Sequence, residues 1–169
     1  MWIRPFNNHK IVKDKLLKAI NNIPKSPINQ SIDNKISHTD FYLPGDVRRE
    51  YLDIFYDSIR QHMITLCNDF HSKSWKIFSS WFQQYNQGDA HGWHNHGESQ
   101  FAGVYYLEMP NKSMTTEFLD GSKIEAKEGD ILIFPSYKYH RSKKNNSKKI
   151  KTIIAFNVSF DVWNGKKIV

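Results

Sequence analysis

Two histidines separated by one residue, His94 and His96, together with a third at His140, are the side chains of this sequence best suited to hold a metal ion. On an extended strand, residues two apart project to the same face about 7 Å from one another, so both imidazoles can converge on one ion. Further along, Gly129-Asp130 turns into the apolar run Ile131-Leu132-Ile133-Phe134-Pro135, and Tyr139-His140 follows. A returning antiparallel strand can set His140 beside the first pair, completing a set of three with other coordination positions left open. Such a donor set suits iron, zinc, copper or nickel alike. The competing reading is structural, with each ring simply bonded to backbone carbonyls. Glu98 shares strand parity with His94 and His96 and is the alternative third ligand, although a turn at Gly97 would carry it off their face. His91 has the wrong parity for a ligand on a regular strand and is expected at the mouth of the site. Lys151 precedes the apolar strand Thr152 to Val158; pointing inward it would pair with a carboxylate, and pointing outward it would be the last member of an exposed lysine patch. The residues alone leave both open.

The elements that must carry these side chains change character along the chain. Between Lys10 and Asn22 apolar residues recur at helical spacing, with Asn7 and Asn8 placed to cap, and Pro24 and Pro27 end the helix in a polar connector running to Lys35. A second helix is expected after Pro44-Gly45, with Asp46 as N-cap and Val47, Tyr51, Phe55, Ile59, Met63, Leu66 and Phe70 on one face. From Trp75 the period becomes two, with Trp75, Ile77, Ser79, Trp81, Gln83 and Tyr85 on a single face, and repeated Gly and Pro breaks imply about eight short strands. Asp120-Gly121 predicts a tight hairpin between Thr116–Leu119 and Lys123–Glu125. The expected fold is mainly β in an α+β sense. It is a double-stranded β-helix, or jelly-roll, barrel over 73–162 buttressed by a helical segment over 1–72, all within one domain spanning 1–169.

Composition narrows the class. A chain of 169 residues can bury one real core but not two of ordinary size. Aromatic residues at 14% against 39% hydrophobic overall point to a core built on Trp, Phe and Tyr, which favours strands. The single cysteine, Cys67, excludes an internal disulfide and a multi-cysteine metal site, and fits a reducing compartment. No apolar run reaches membrane-spanning length and the N-terminus lacks a signal-peptide pattern, so the expected location is cytoplasmic, the host cytoplasm if the chain is viral. The net charge of +7 raises an anionic partner, and the densest cationic stretch, Arg141 to Lys151, is either its contact surface or a solvated loop between strands.

Read together, His94-x-His96, Phe101-Ala102-Gly103-Val104-Tyr105-Tyr106-Leu107 with Pro110, Gly129 to Pro135 with His140, and Lys151 leading into Ile153 to Asn157 resemble the 2-oxoglutarate/Fe(II) oxygenases. The similarity is to a subgroup common in bacteriophages and marine bacteria, and it covers roughly Trp81 to Phe160. It implies Fe(II) held by His94, His96 and His140, 2-oxoglutarate as cosubstrate anchored at its far carboxylate by Lys151, and O2. The product would be a hydroxylated substrate with succinate and CO2. Two positions depart from the pattern. His96 stands where better-known members carry Asp or Glu, giving a neutral site, and Ala102 and Lys151 replace an expected Ser and Arg, the latter keeping the charge while losing the bidentate fork. Tyr85, Tyr105 and Asn157 are candidates for hydrogen bonds to the cosubstrate, with buried packing as their alternative role. The prime substrate is open among a protein side chain, a nucleobase and a small metabolite.

Two other readings use the same residues. A cupin-like isomerase or ligand sensor would bind metal with the three histidines and leave Lys151 idle. A non-catalytic module would bind an anionic partner through Arg141–Lys151 and use the barrel only as a scaffold.

Overall fold

The computed structural model describes residues 1–24 and 34–161. Most of the connector expected after the first helix, 25–33, lies outside the described residues. Among the described residues ten strands and two α-helices run in the order β1 (Trp2–Pro5), α1 (His9–Asn21), β2 (Asn34–Lys35), β3 (His38–Thr39), α2 (Glu50–Asp69), β4 (Trp75–Tyr85), β5 (Ala90–His94), β6 (Phe101–Glu108), β7 (Thr116–Phe118), β8 (Asp130–Pro135), β9 (His140–Ser142) and β10 (Lys151–Phe160). They form a six-stranded sheet, β1-β8-β6-β10-β4-β3, and a four-stranded sheet, β2-β5-β9-β7. Every pairing is antiparallel. No described helix is long and apolar enough to cross a membrane.

Strand alternation divides the core in two. Tyr105, Leu107, Ile131, Ile133, Ile154, Phe156 and Val158 face the helices and meet Leu16, Ile20, Tyr51, Phe55, Ile59 and Met63. The intervening residues, including Tyr85, Ala102, Val104, Tyr106, Leu132, Phe134 and Ile153, face the four-stranded sheet and meet Met114 and Phe118. The helices thus cover one face of the large sheet, and the small sheet covers the other.

Several local expectations are corrected. The N-cap of α1 is Asn8, but its side chain makes no capping bond, and Ile11 lies 68% exposed, off the buried stripe. The N-cap of α2 is Arg49 rather than Asp46. The reason is tertiary: the Arg49 guanidinium donates to the buried Asp40 carboxylate at 2.9 Å. The same carboxylate accepts from Tyr51 Oη at 2.7 Å and from the Phe82 amide at 3.0 Å, so the start of the helix is set by its attachment to β4.

The single face expected for Trp75 to Tyr85 does not exist. Asn157 pairs with Ser79 and Val158 with Ile77, which leaves Phe78 as an extra residue in β4. That bulge reverses parity. Trp75 and Ile77 pack toward the helices, while Trp81, Gln83 and Tyr85 line the space between the sheets. The two-residue hairpin expected at Asp120-Gly121 does not form. Gly121 has φ of 76°, but Asp120 does not share the positive φ such a turn needs at both central residues. The turn closes instead with the Gly121 amide donating to Phe118 O at 3.2 Å, and 123–125 is not a strand. β7 pairs with β9 instead, and the Asp120 carboxylate accepts from the Ser122 amide at 2.9 Å, directing the chain away from a return ladder.

Candidate metal and carboxylate site

β5 and β9 lie side by side with His94 directly opposite His140. His96, just beyond β5, is fixed by its amide donating to Ser136 O at 2.9 Å. The ligand atoms of His94, His96 and His140 all lie within 4.8 Å of one another.

Each ring is oriented by a carbonyl oxygen that can only accept. The Nδ1 of His94 donates to Gly92 O at 2.9 Å, and that of His140 to Lys138 O at 2.9 Å. His96 Nδ1 donates to Asn157 Oδ1, whose amide nitrogen donates in turn to Ser79 Oγ at 3.0 Å. With Nδ1 protonated, every Nε2 presents a lone pair, the tautomer a metal needs. Carbonyl bonding, which in sequence competes with metal binding, here prepares the rings for it. Burial holds the three rings neutral by lowering their pKa values, reinforced at His94 and His140 by the neighbouring rings, and for His140 the value falls to about 3. Trp81 packs on His96 with centroids 5.7 Å apart, and Phe134 stands edge-on to His140 at 4.7 Å.

Lys151, at the start of β10, points inward and is 1% exposed. Its Nζ donates to Ser142 Oγ at 2.8 Å and sits 5.3 Å from the Tyr85 ring centroid. Among the described residues no carboxylate pairs with it. Desolvation alone lowers its pKa from 10.5 to about 7. A buried lysine amine with donors to spare and no carboxylate partner among the described residues can, when protonated, accept an anion. The three histidines and Lys151 line one small cavity of about 30 Å³, and Trp81, Gln83, Tyr85 and Ser142 share its wall.

The remaining candidates separate. Tyr85 borders the cavity and donates to Gln83 Oε1 at 2.7 Å. Tyr105 does not: strand parity turns it toward the helices, where its hydroxyl meets His9 Nδ1 at 2.7 Å and its ring packs on Phe6. Asn157 orients His96. Glu98 is exposed and lies outside the histidine trio. His91 is closer to the site than parity allows, because the β5–β9 register shifts between His91 and His94. Its ring stacks on His94 with centroids 4.0 Å apart. Gln83 and Ser142 were not anticipated; each sits two residues from a singled-out side chain, Tyr85 and His140, and strand parity could have suggested them.

Residues 79–124 match the family described as “Putative 2OG-Fe(II) oxygenase”. No curated protein matches the sequence. Among solved structures, a viral collagen prolyl hydroxylase of Paramecium Bursaria Chlorella virus-1 superposes with a TM-score of 0.64 at 17% identity, over 94% of this chain and 96% of that one. A 2OG-Fe(II) oxygenase-family oxidoreductase from Burkholderia pseudomallei gives 0.67 at 8% identity, over 93% and 82%. A Trichoplax adhaerens prolyl hydroxylase, in complex with a hypoxia inducible factor peptide fragment, gives 0.63 at 15%, over 95% and 83%. The fold is that of the 2OG-Fe(II) oxygenases. The cofactors this family implies are Fe(II), 2-oxoglutarate and O2, and the donor set above fits the metal while the orphaned Lys151 ammonium fits the dicarboxylate.

Proposed function

We propose that this protein is an Fe(II)- and 2-oxoglutarate-dependent dioxygenase on a jelly-roll barrel, hydroxylating a substrate with release of succinate and CO2. The observation that carries the reading is Lys151, a buried cation without a carboxylate partner in the same cavity as three metal-ready imidazoles. A metal-binding cupin has no use for that charge, whereas a dicarboxylic cosubstrate requires it.

His94, His96 and His140 would hold Fe(II), which when bound supplies the oxidative chemistry that couples decarboxylation of 2-oxoglutarate to substrate oxidation. Lys151 and Ser142 bind the far carboxylate, and Tyr85 closes the wall behind it. Asn157 keeps His96 in the required tautomer. Trp81 and Phe134 restrict the rings and exclude water from the cavity. Three neutral ligands leave the ion its full double charge, so a dianionic cosubstrate is favoured electrostatically at both ends.

Anaerobic titration of metal-stripped protein with Fe(II) and then 2-oxoglutarate tests the proposal. A visible charge-transfer band that needs both additions is expected. Metal binding with no response to 2-oxoglutarate would transfer the assignment to a cupin-like metalloprotein.

A further inference from the structure

A second cleft, of about 850 Å³, flanks the four-stranded sheet and shares His91, Arg141 and Ser142 as wall residues with the histidine cavity. Its wall is cationic and aromatic. Arg141 lies over the Trp93 ring at 4.5 Å from the centroid, and Trp93 remains 39% exposed. Lys143 and Lys144 are exposed on the same wall, and Asn111 and Asn146 contribute amides. The acidic group that meets these cations is Glu117, which accepts from Arg141 Nε at 2.6 Å and faces Lys143 at 3.5 Å. Three cations against one carboxylate leave the wall positive.

We propose that this cleft binds single-stranded nucleic acid. Arg141, Lys143 and Lys144 track the phosphates, and the open part of the Trp93 ring gives a base a stacking platform. The amides offer both donors and acceptors to base edges. An acidic peptide would satisfy the lysines and the amides, but its carboxylates offer no flat ring to the exposed indole. Strand alternation puts Trp93, Arg141 and Glu117 on the face of the small sheet opposite His94 and His140, so the surface does not depend on the oxygenase reading.

Fluorescence anisotropy with labelled single-stranded DNA and RNA 15-mers of mixed sequence tests the proposal on the full chain. Saturable binding is expected, weakening linearly in log–log form with salt. Trp93→Ala should weaken it roughly tenfold at constant salt. The double variant Lys143→Gln/Lys144→Gln should weaken it and flatten the salt slope by about 1.4, roughly 0.7 for each single-strand phosphate no longer neutralised. The pair Lys148→Gln/Lys149→Gln, exposed on the loop outside the cleft, should change affinity less than threefold. Equal losses from both lysine pairs would overturn the proposal as undirected charge attraction. Tighter binding of a glutamate-rich peptide than of either oligonucleotide would overturn it in favour of a protein partner. The charge-transfer titration is independent: an intact band without oligonucleotide binding defeats this inference alone, and binding without the band defeats only the oxygenase reading.

Discussion

Lys151 concentrates the chemistry of the cavity in one proton. Its pKa is lowered from 10.5 to about 7 by burial, so between those values the folded chain holds fewer protons than the unfolded one. The empty fold therefore gains stability as pH rises through that window. Binding of a dicarboxylate has the opposite sign, because it needs the ammonium and draws a proton in. The affinity for 2-oxoglutarate is expected to be flat below about pH 7 and to fall about tenfold per pH unit above it. Lys151→Met should keep metal binding, lose roughly ten- to a hundredfold in cosubstrate affinity, and lose the pH dependence; calorimetry across pH 6 to 9 checks all three. An unchanged dissociation constant would remove Lys151 from the site. The residue type and position were readable in the sequence, but its direction was not, since a lysine closing a basic loop looks the same whether it turns in or out. The histidine set was readable because its spacing matches strand geometry. Tyr105 was not, because two adjacent tyrosines, Tyr105 and Tyr106, give no parity of their own until the register with Ile131 and Leu132 is known.

At the scale of elements, irregularities determine what the cavity contains. The extra residue at Phe78 lets β4 present Trp75 and Ile77 to the helices and Trp81, Gln83 and Tyr85 to the cavity, and no period-two reading reveals where the phase changes. That the chain turns near Asp120-Gly121 was legible, whereas the turn's register and the partner of β7 were not, since pairing with β9 depends on contacts distant in sequence. A second constraint lies at Gly103, opposite Phe156 in the β6–β10 ladder. A Cβ there would meet the Phe156 ring at 2.1 Å, so the ring lies over the backbone of its neighbour and fills the space a side chain would take. Gly103→Ala is expected to destabilise by about 1–3 kcal/mol through overpacking. Urea denaturation should show a lower midpoint at an unchanged slope, and a companion Phe156→Leu exchange should recover part of the loss. Equal stability of Gly103→Ala and the parent would mean that the ring is free to move.

Across the whole molecule, the two sheets are supported unequally. The large sheet has strands of up to eleven residues and a helical layer on its outer face. The small sheet consists of strands of two to five residues without such a layer, so few backbone bonds must open for it to loosen. The proposed ligands straddle this boundary. His94 and His140 come from the small sheet, His96 is attached to Asn157 on the large one, and Lys151 reaches from β10 to Ser142 of β9. A metal with its cosubstrate would therefore act as a clamp between sheets, and a ligand at a hundredfold its dissociation constant stabilises the form that binds it by about 2.7 kcal/mol. Hydrogen exchange in the presence of Fe(II) and 2-oxoglutarate, under anaerobic conditions, should slow by about a hundredfold at amides of β5, β7 and β9. Amides of β6 and α2 that open only with global unfolding should slow by no more than that factor, and those that open locally should not change. Uniform slowing in every element would instead make the small sheet part of a single cooperative unit, with the metal stabilising the whole fold rather than its seam.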